Sequence, residues 1–394
     1  MIGISKLYCG TIEASDPLRY NRRSDKLPAH LLQFSADKKP VVVWNVTQRC
    51  NLACLHCYAQ ADAQAGPDEL TTAEGMELLS DLADFGAPVV LFSGGEPLMR
   101  PDLSDLIRRA VSLGLRAVVS TNGTLITKTL AAELKSLGLS YVGISLDGLR
   151  EINDAFRGRS GAFEAAMAGV DNCQAAGLKV GLRFTINRRN QGEVGKIFDL
   201  MWERKIPRAC FYHLVYAGRG SELIDEALTS AETRAVVDLI LARTRWLHDS
   251  HHPAEVLTVD NHADGPYVYL RLLQEDPDRA EEVLKLLGFN QGNSTGRGIG
   301  CVSWDGAVHP DQFWRHATLG NVRERPFSQI WTDPNLQLLS DLRQRKDLLK
   351  GRCAACKWLK ICNGNFRVRA EAVSGDVWAP DPACYLTDEE IGMG

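Results

Sequence analysis

Stretches with the pattern of buried β-strands alternate with helical patterns from residue 41 to about residue 216. The strand patterns are short β-branched or apolar runs, and several of the helical patterns end at a glycine suited to a helix C-terminus. We predict strands at Val41–Val46, Pro88–Ser93, Arg116–Ser120, Tyr141–Leu146, Lys179–Ile186 and Arg208–Tyr216, and helices at Thr71–Phe85, Asp102–Leu113, Lys128–Leu137, Gly161–Ala176 and Gln191–Arg204. This alternation builds a parallel sheet, either doubly wound or a partial barrel, with functional groups at the carboxyl ends of its strands.

The rest of the chain divides into three regions around this alternating part. We predict a polar, irregular lead-in segment over 1–40, the barrel over 41–220, a helical linker or substrate-covering region over 221–300, and a small cysteine-containing domain over 301–394. The elements expected in the last two regions are helices at Ala231–His248 and Pro277–Gly288, a polar stretch at Asp249–Gly265, and a hairpin at Cys301–His309.

Charge, hydropathy and cysteine content exclude several classes of protein. The formal net charge of −4 provides no general attraction for nucleic acid. No apolar run approaches the roughly 18 residues of a membrane span, and Met1–Gly10 lacks a secretion signal, so we expect a cytoplasmic protein without a membrane partner. The odd number of cysteines, 11, argues against a disulfide framework, and their grouping favours metal binding.

The first cysteine group, Cys50, Cys54 and Cys57, has the spacing CxxxCxxC and is followed by Tyr58. Four-iron clusters usually have four protein thiolates, so three thiolates leave one iron open to another ligand. The alternatives are a chance grouping or a zinc site completed by His56, whose position next to Cys57 would strain tetrahedral geometry.

Three further stretches, each at or just after a predicted strand end, accompany the cysteines. They are Gly94-Gly95-Glu96-Pro97, Ser145-Leu146-Asp147-Gly148 and Asn153-Asp154-Ala155-Phe156-Arg157-Gly158. Together with CxxxCxxC they resemble the radical S-adenosylmethionine (SAM) superfamily over about residues 41–215. The resemblance implies an α/β fold with a partial (β/α)6 TIM-type barrel and a four-iron cluster whose open iron chelates SAM. Cleavage of SAM by one electron would then give a 5′-deoxyadenosyl radical that abstracts hydrogen from substrate. The SAM contacts it implies are Tyr58, Gly94, Gly95, Glu96, Ser145, Asp147 and Arg157.

The second cysteine group contains Cys353, Cys356, Cys362 and Cys384, with Cys301 upstream. A zinc ribbon is one interpretation. The group also resembles the SPASM/twitch domain of many radical SAM enzymes, which binds auxiliary iron–sulfur clusters. Two cysteines of the full pattern are absent, because Arg325 and Phe366 stand at their positions. We therefore expect one auxiliary four-iron cluster on the four cysteines named first, with Cys301 either a swapped ligand or a leftover near it. The isolated Cys9, Cys173 and Cys210 are expected to be structural.

Two stretches narrow the substrate class. Lys39–Thr47 and Phe211–Gly220 resemble radical SAM enzymes that edit side chains of sirohaem-derived tetrapyrroles, especially the NirJ group of haem d1 biosynthesis. This resemblance implies removal of propionates from didecarboxysirohaem, an iron tetrapyrrole, with electrons from a low-potential donor such as flavodoxin or ferredoxin. The alternatives are a related tetrapyrrole decarboxylase of the alternative haem pathway, a SPASM-type peptide maturase, and an iron–sulfur carrier.

Candidate substrate-binding residues follow from the charges of such a molecule. Its carboxylates call for arginines near the barrel mouth, and its iron for a histidine. The arginine candidates are Arg183, Arg188, Arg189, Arg219 and Arg297. His213, on the sixth predicted strand, is expected to ligate the iron or donate a hydrogen bond, and His262 is a second candidate.

Overall fold

A single sheet of 11 strands organises the computed structural model, which describes residues 1–11, 16, 19, 39–66 and 68–393. The strands are β1 (Ile2–Gly3), β2 (Val41–Asn45), β3 (Val89–Ser93), β4 (Arg116–Thr121), β5 (Tyr141–Ser145), β6 (Val180–Ile186), β7 (Arg208–His213), β8 (Glu255–Val259), β9 (Ile299–Val302), β10 (Ala307–His309) and β11 (Gly320–Asn321). Their order in the sheet is β1-β8-β7-β6-β5-β4-β3-β2-β9-β10-β11.

The central strands are parallel, as the βα alternation predicts. Strands β2 to β8 pair in parallel with their neighbours, and β9 adds in parallel beside β2. Strands β1, β10 and β11 pair antiparallel at the two ends of the order. All six predicted strands are present, and the sheet order has two ends, so the prediction of an open α/β barrel is confirmed. The predicted hairpin is formed by β9 and β10.

Helices cover the sheet and build the C-terminal region. Their bounds are Ile4–Cys9, Thr72–Phe85, Leu103–Ser112, Lys128–Ser136, Arg150–Arg157, Ala162–Ala175, Val194–Glu203, Ser230–Asp249, Asp264–Glu275, Pro277–Asn290, Phe327–Thr332, Gln337–Arg343, Gly351–Ala355, Leu359–Cys362, Arg367–Ser374 and Asp388–Ile391. Single 3₁₀ turns lie at Pro97–Met99, Gln191–Glu193 and Arg345–Asp347, and a longer 3₁₀ segment with a kink at Leu223 covers Gly218–Glu226. Within the described part of the chain, no helix has the length and apolar character needed to cross a membrane.

Two regions outside the predicted barrel also contribute to the sheet. Residues 1–11, expected to be irregular, contain β1 and the helix Ile4–Cys9; most of the remaining predicted lead-in lies outside the described residues. The stretch Asp249–Gly265, expected to be polar loop, contains β8, whose Val256 and Leu257 are fully buried against neighbouring elements. This short strand was not predicted, because the aspartates and histidines on either side of it make the stretch polar. The domain boundaries themselves stay a prediction.

Close packing of the helix Thr72–Phe85 fixes the strand from which the first cysteine loop emerges. The helix begins with a capping box in which Thr71 accepts from the backbone N–H of Glu74 and Glu74 accepts from that of Thr71. Trp44 of β2 is fully buried, and a Cβ at Gly75 would lie 2.6 Å from its ring. Only glycine at this position lets the helix approach the strand so closely.

Candidate cofactor and substrate site

An open cavity lies at the carboxyl ends of the parallel strands. Its empty volume is about 1080 Å³, including its solvent-filled mouth. The predicted site residues in its wall are Cys50, Cys54, Cys57, Tyr58, Gly94, Gly95, Ser145, Arg157, Arg183 and His213. The first and last of them, Cys50 and His213, are more than 160 positions apart along the chain. The sheet brings them together because its parallel strands all end on one side.

The first cysteine loop is clamped by backbone contacts from two directions. On one side, the N–H groups of Ala53 and Leu55 donate to the carbonyls of Arg157 and Phe156, at 3.2 and 2.9 Å. On the other side, Arg219 Nε donates to the Cys54 carbonyl at 2.8 Å and its Nη1 to the Ala61 carbonyl at 3.0 Å. Arg219, expected to bind substrate carboxylates, therefore holds the cysteine loop instead.

The three thiols suit a cluster better than a single zinc ion. Burial raises the pKa of Cys50 to about 12 and also raises that of Cys54, so thiolates at these positions need positive charge beside them. Arg157 Nη1 lies 3.6 Å from Cys54 Sγ and supplies further positive charge. In the described residues, no three His, Cys, Asp or Glu side chains converge at distances that would hold one metal ion. The zinc interpretation therefore has no geometric support here.

Glycines shape the cavity wall beside the cysteine loop. A Cβ at Gly94 would lie 2.5 Å from the Thr47 carbonyl, and one at Gly95 would lie 2.3 Å from the Arg49 carbonyl. The loop is joined to the cysteine segment by the Gly95 N–H donating to the Thr47 carbonyl at 2.7 Å. Side chains are excluded at both positions, which leaves bare backbone facing the cavity.

Several buried polar atoms in this wall make no hydrogen bond to any described residue, and two of them lie beside the cysteine loop. Arg157 Nη2 pairs with Asp147 Oδ2 at 2.6 Å, and His56 Nε2 lies 3.3 Å from the same oxygen. Burial lowers the pKa of His56, so the imidazole is neutral near pH 7. Arg157 Nε and His56 Nδ1 make no hydrogen bond among the described residues. A carboxylate such as that of SAM would accept from Arg157 Nε, and an ammonium such as that of SAM would donate to His56 Nδ1, so the wall fits the cofactor that the resemblance implies.

Glu96 and Asp147 lie behind the cavity wall rather than in it. Both are fully buried, and Glu96 accepts from Thr121 Oγ1 at 2.6 Å and from the Asn122 N–H at 2.8 Å. Burial raises the pKa of Glu96 to about 7. Asp147 accepts from the Thr185 N–H at 3.1 Å in addition to its pair with Arg157. In the structure these carboxylates order the loops, and their predicted contacts with SAM stay a prediction.

Tyr58 borders the cavity with its ring and is fixed by its hydroxyl. That hydroxyl donates to Asn45 Oδ1 at 2.9 Å and lies 3.1 Å from Ser93 Oγ. Its ring packs edge-on against Phe313 at 5.2 Å. The tyrosine after the last cysteine thus supplies an apolar wall, with Phe313 of the C-terminal region continuing it.

Arg183 is the predicted arginine that faces the cavity without an acidic partner. Its guanidinium lies 4.8 Å from the centre of the Tyr212 ring, and it makes no ion pair with any described residue. Burial alone would lower its pKa, but the surrounding tyrosines and Cys210 raise it, so the side chain stays charged. A cation held on an aromatic face inside a cavity is a ready partner for a carboxylate.

The other predicted substrate residues lie elsewhere. Arg188 and Arg189 pair with Glu232 and Glu226 on the exposed surface, and Arg297 bonds Gln291. His262 is buried outside the cavity wall, where its backbone N–H donates to Asn365. None of these four residues lies in the cavity wall, so the predictions that they bind substrate carboxylates or iron there are wrong. The packing of neighbouring elements decides which way such a residue faces.

Sequence reasoning also missed cavity residues, of which Asp260 is the clearest. It directly follows β8, adopts a left-handed φ of 65°, and has a buried Oδ2 without a hydrogen bond in the described structure. Burial raises its pKa to about 6. The available signal was a short, largely β-branched and apolar run at Glu255–Val259 followed by an aspartate, but the strand itself was not predicted. The other missed wall residues include Tyr212, Gln312 and Phe313.

The auxiliary cysteines surround a second cavity. Cys353, Cys356, Cys362 and Cys384 all line this space, whose empty volume is about 450 Å³. Burial raises the pKa of Cys384 to about 11 and raises those of Cys356 and Cys362. Four thiols around one space are the donor set of a four-iron cluster.

Cys301 lies apart from this group, and the residues at the positions of the two absent cysteines, Arg325 and Phe366, contact other side chains. Cys301 is fully buried in β9, and its Sγ accepts a hydrogen bond from Asn45 Nδ2 at 3.5 Å. Arg325 pairs with Asp333 at 2.7 Å, and Phe366 packs edge-on against Phe313 at 5.5 Å. Cys301 does not line the cavity of the four cysteines, so the structure supports neither a swapped ligand nor a leftover beside that group.

Comparisons with known proteins agree with this geometry. Residues 44–201 match the profile of the radical SAM superfamily, and 295–357 match that of an iron–sulfur cluster-binding domain, SPASM. The chain is 67% identical over 395 residues to the Fe-coproporphyrin III synthase of Methanosarcina barkeri, covering 100% of this chain and 99% of that protein. The chain belongs to the radical SAM superfamily. It is an enzyme, and its cofactors are SAM and two four-iron clusters.

Further relatives lie within the same superfamily. The pre-heme d1 synthase of Dinoroseobacter shibae is 43% identical over 357 residues, covering 90% of this chain and 88% of that protein. Among solved structures, Streptococcus suis SuiB bound to the precursor peptide SuiA superposes with a TM-score of 0.70 at 18% identity, over 91% of this chain and 79% of that chain. At that identity the superposition supports the fold alone.

Iron content tests the assignment of the two cysteine groups. We expect the reconstituted protein to bind about eight irons per chain, from two four-iron clusters. Replacing Cys50, Cys54 and Cys57 together with Ala should leave about four, since the second group is untouched. Iron and zinc are measured by elemental analysis. Retention of zinc alone in the triple variant would show that the second group is a zinc site.

Proposed function

We propose that this enzyme removes carboxylate-bearing side chains from an iron tetrapyrrole and that its product is an iron coproporphyrin. The observation that carries the proposal is the 67% identity, over the whole chain, to an Fe-coproporphyrin III synthase. The role first expected from the sequence, propionate removal in haem d1 biosynthesis, is the second candidate, supported by the 43% identity to a pre-heme d1 synthase.

We assign the cofactors to residues on the same basis. Cys50, Cys54 and Cys57 hold the cluster that binds SAM, and the backbone at Gly94 and Gly95 together with Arg157 orients SAM beside it. Cys353, Cys356, Cys362 and Cys384 hold the auxiliary cluster. Electrons come from a low-potential donor such as flavodoxin or ferredoxin.

The chemistry divides between the cofactors and the protein. When bound, SAM and its cluster supply a radical that can act on an unactivated carbon, for which acid–base groups offer no easy route. The chain's own residues bind and orient the substrate. Arg183 pairs with one carboxylate, and the aromatic wall of Tyr58 and Phe313 packs against the macrocycle. Positioning of this kind dominates a hydrogen abstraction, which requires close approach.

Arg183→Met should separate substrate binding from SAM cleavage. Losing the guanidinium removes the free cation of the cavity wall, so we expect tetrapyrrole affinity to fall by roughly 10-fold or more, as for a charged hydrogen bond. Release of 5′-deoxyadenosine without substrate should persist. Binding is followed by absorption titration under anaerobic conditions.

Arg188→Met is the matched control for that experiment. Arg188 was an equal candidate from the sequence, but it pairs with Glu232 on the exposed surface. We expect wild-type tetrapyrrole affinity in this variant. Equal losses in both variants, or none in Arg183→Met, would contradict the assignment of Arg183.

Product analysis tests the function itself. The reconstituted enzyme is incubated anaerobically with SAM, reductant and didecarboxysirohaem, and the pigments are separated and weighed by mass spectrometry. An iron coproporphyrin supports the first candidate, and pre-haem d1 supports the second. Absence of any change in the tetrapyrrole, alongside modification of a peptide substrate, would reject both and favour a peptide maturase.

A further inference from the structure

A hydrogen-bonded chain, Tyr385–Asp264–His213, connects the auxiliary-cluster segment to the wall of the main cavity. The Tyr385 hydroxyl donates to Asp264 Oδ1 at 2.7 Å, and His213 Nε2 lies 2.9 Å from Asp264 Oδ2. Asp264 is fully buried and Tyr385 is 2% exposed. The chain joins three distant parts of the protein: the end of β7, the helix Asp264–Glu275, and the residue after Cys384.

The partners of Asp264 determine which atoms of His213 remain available. A carboxylate only accepts hydrogen bonds, and here it lies between a tyrosine hydroxyl and a ring nitrogen. His213 Nε2 must therefore carry the hydrogen, which leaves Nδ1 as the nitrogen whose lone pair can bind a metal. No described residue bonds to Nδ1, and His213 forms part of the cavity wall. A carboxylate on the far nitrogen is also the usual support of a metal-binding histidine.

We propose that Asp264 is a positioning residue that holds His213 as the axial ligand for the iron of the bound tetrapyrrole. This inference rests on the proposed function, and it deepens it by assigning the contact with the iron. Tyr385 completes the support from the auxiliary domain. Correct folding around Cys384 thereby becomes a condition for tight substrate binding, although Tyr385 itself does not line the main cavity.

A second feature of the same wall agrees with this placement. Arg369 donates to the carbonyls of Leu214 and Asp260, which directly follow β7 and β8, at 3.1 and 2.9 Å. The C-terminal region thus fixes the backbone directly after His213 and at the end of the neighbouring strand β8. Through Tyr385 it also supports the aspartate that orients the His213 ring.

The test uses the full-length reconstituted protein and ferric Fe-coproporphyrin III as the probe. Wild type should bind it with the absorption and electron paramagnetic resonance spectra of an imidazole-ligated iron. His213→Ala should lose that signature and regain it with added imidazole. Asp264→Asn should weaken binding by about 10- to 100-fold, as loss of support does for other metal-binding histidines, and alter the spectrum. Tyr385→Phe should change the affinity and the spectrum in the same direction, but by less.

The controls separate this inference from the proposed function and from misfolding. Asp238→Asn removes a bond of the same kind, from the Tyr267 hydroxyl at 2.8 Å, on a helix outside the cavity, and should bind the probe as wild type does. Failure of wild type to bind the probe would overturn the proposed function. Unchanged affinity and spectrum in Asp264→Asn, with wild type binding, would overturn this inference alone. If Asp264→Asn is misfolded, as shown by the loss of 5′-deoxyadenosine release, the Tyr385→Phe variant decides. Wild-type affinity and spectrum in Tyr385→Phe would then overturn this inference.

Discussion

Cys54→Ala should abolish reductive cleavage of SAM. Cys54 is 9% exposed, lies between the other two cysteines of its group, and contacts Arg157 through its sulfur. Removing it leaves two thiolates, too few to hold a four-iron cluster with one open iron. We expect 5′-deoxyadenosine formation to fall to background, measured by chromatography after anaerobic incubation with SAM and dithionite.

Cys173→Ala is the control for this loss. Cys173 is also a fully buried cysteine, but it lies in the helix Ala162–Ala175 and outside both cavities. We expect its SAM cleavage and iron content to match those of wild type. Persistent 5′-deoxyadenosine formation in Cys54→Ala, at the rate seen with Cys173→Ala, would show that the first cysteine group does not hold the catalytic cluster.

Arg369→Met should destabilise the protein by about 3–5 kcal/mol, because it leaves a buried aspartate without its partner. Arg369 and Asp381 are both fully buried and are joined by two hydrogen bonds of 2.8 Å. Burial alone would raise the pKa of Asp381, but Arg369 holds it below its usual value. The variant also loses the bonds that Arg369 donates to Leu214 and Asp260 at the cavity wall.

Urea unfolding of the reconstituted protein measures this effect. The surface arginine Arg204, which pairs with Asp171 in the open, provides the comparison, since such exposed pairs contribute only about 0–1 kcal/mol. We expect Arg204→Met to unfold at the wild-type midpoint and Arg369→Met at a clearly lower urea concentration. Coincident midpoints for the two variants would mean that the buried Arg369–Asp381 pair does not stabilise the protein.

Local patterns were enough to predict most of the barrel. Strands such as β2 and β6 carry their own β-branched and apolar signal, and the capping box at Thr71 is complete within four residues. The short strand β8 was missed, because its five residues are flanked by polar and histidine-rich sequence. It becomes a strand because β7 offers it a hydrogen-bonding edge, and that edge is a property of the assembled sheet.

The two cysteine groups were determined by the sequence itself, because metal-binding spacing is local and chemically restrictive. Which charged side chains serve the cavity was decided only by the tertiary structure. Arg183 faces the cavity while Arg188 pairs with Glu232, although only a few residues separate them. Likewise Cys301 bonds Asn45 across the sheet instead of joining the second group. The direction of a side chain depends on which elements pack around it, and those contacts come from residues far away in the chain.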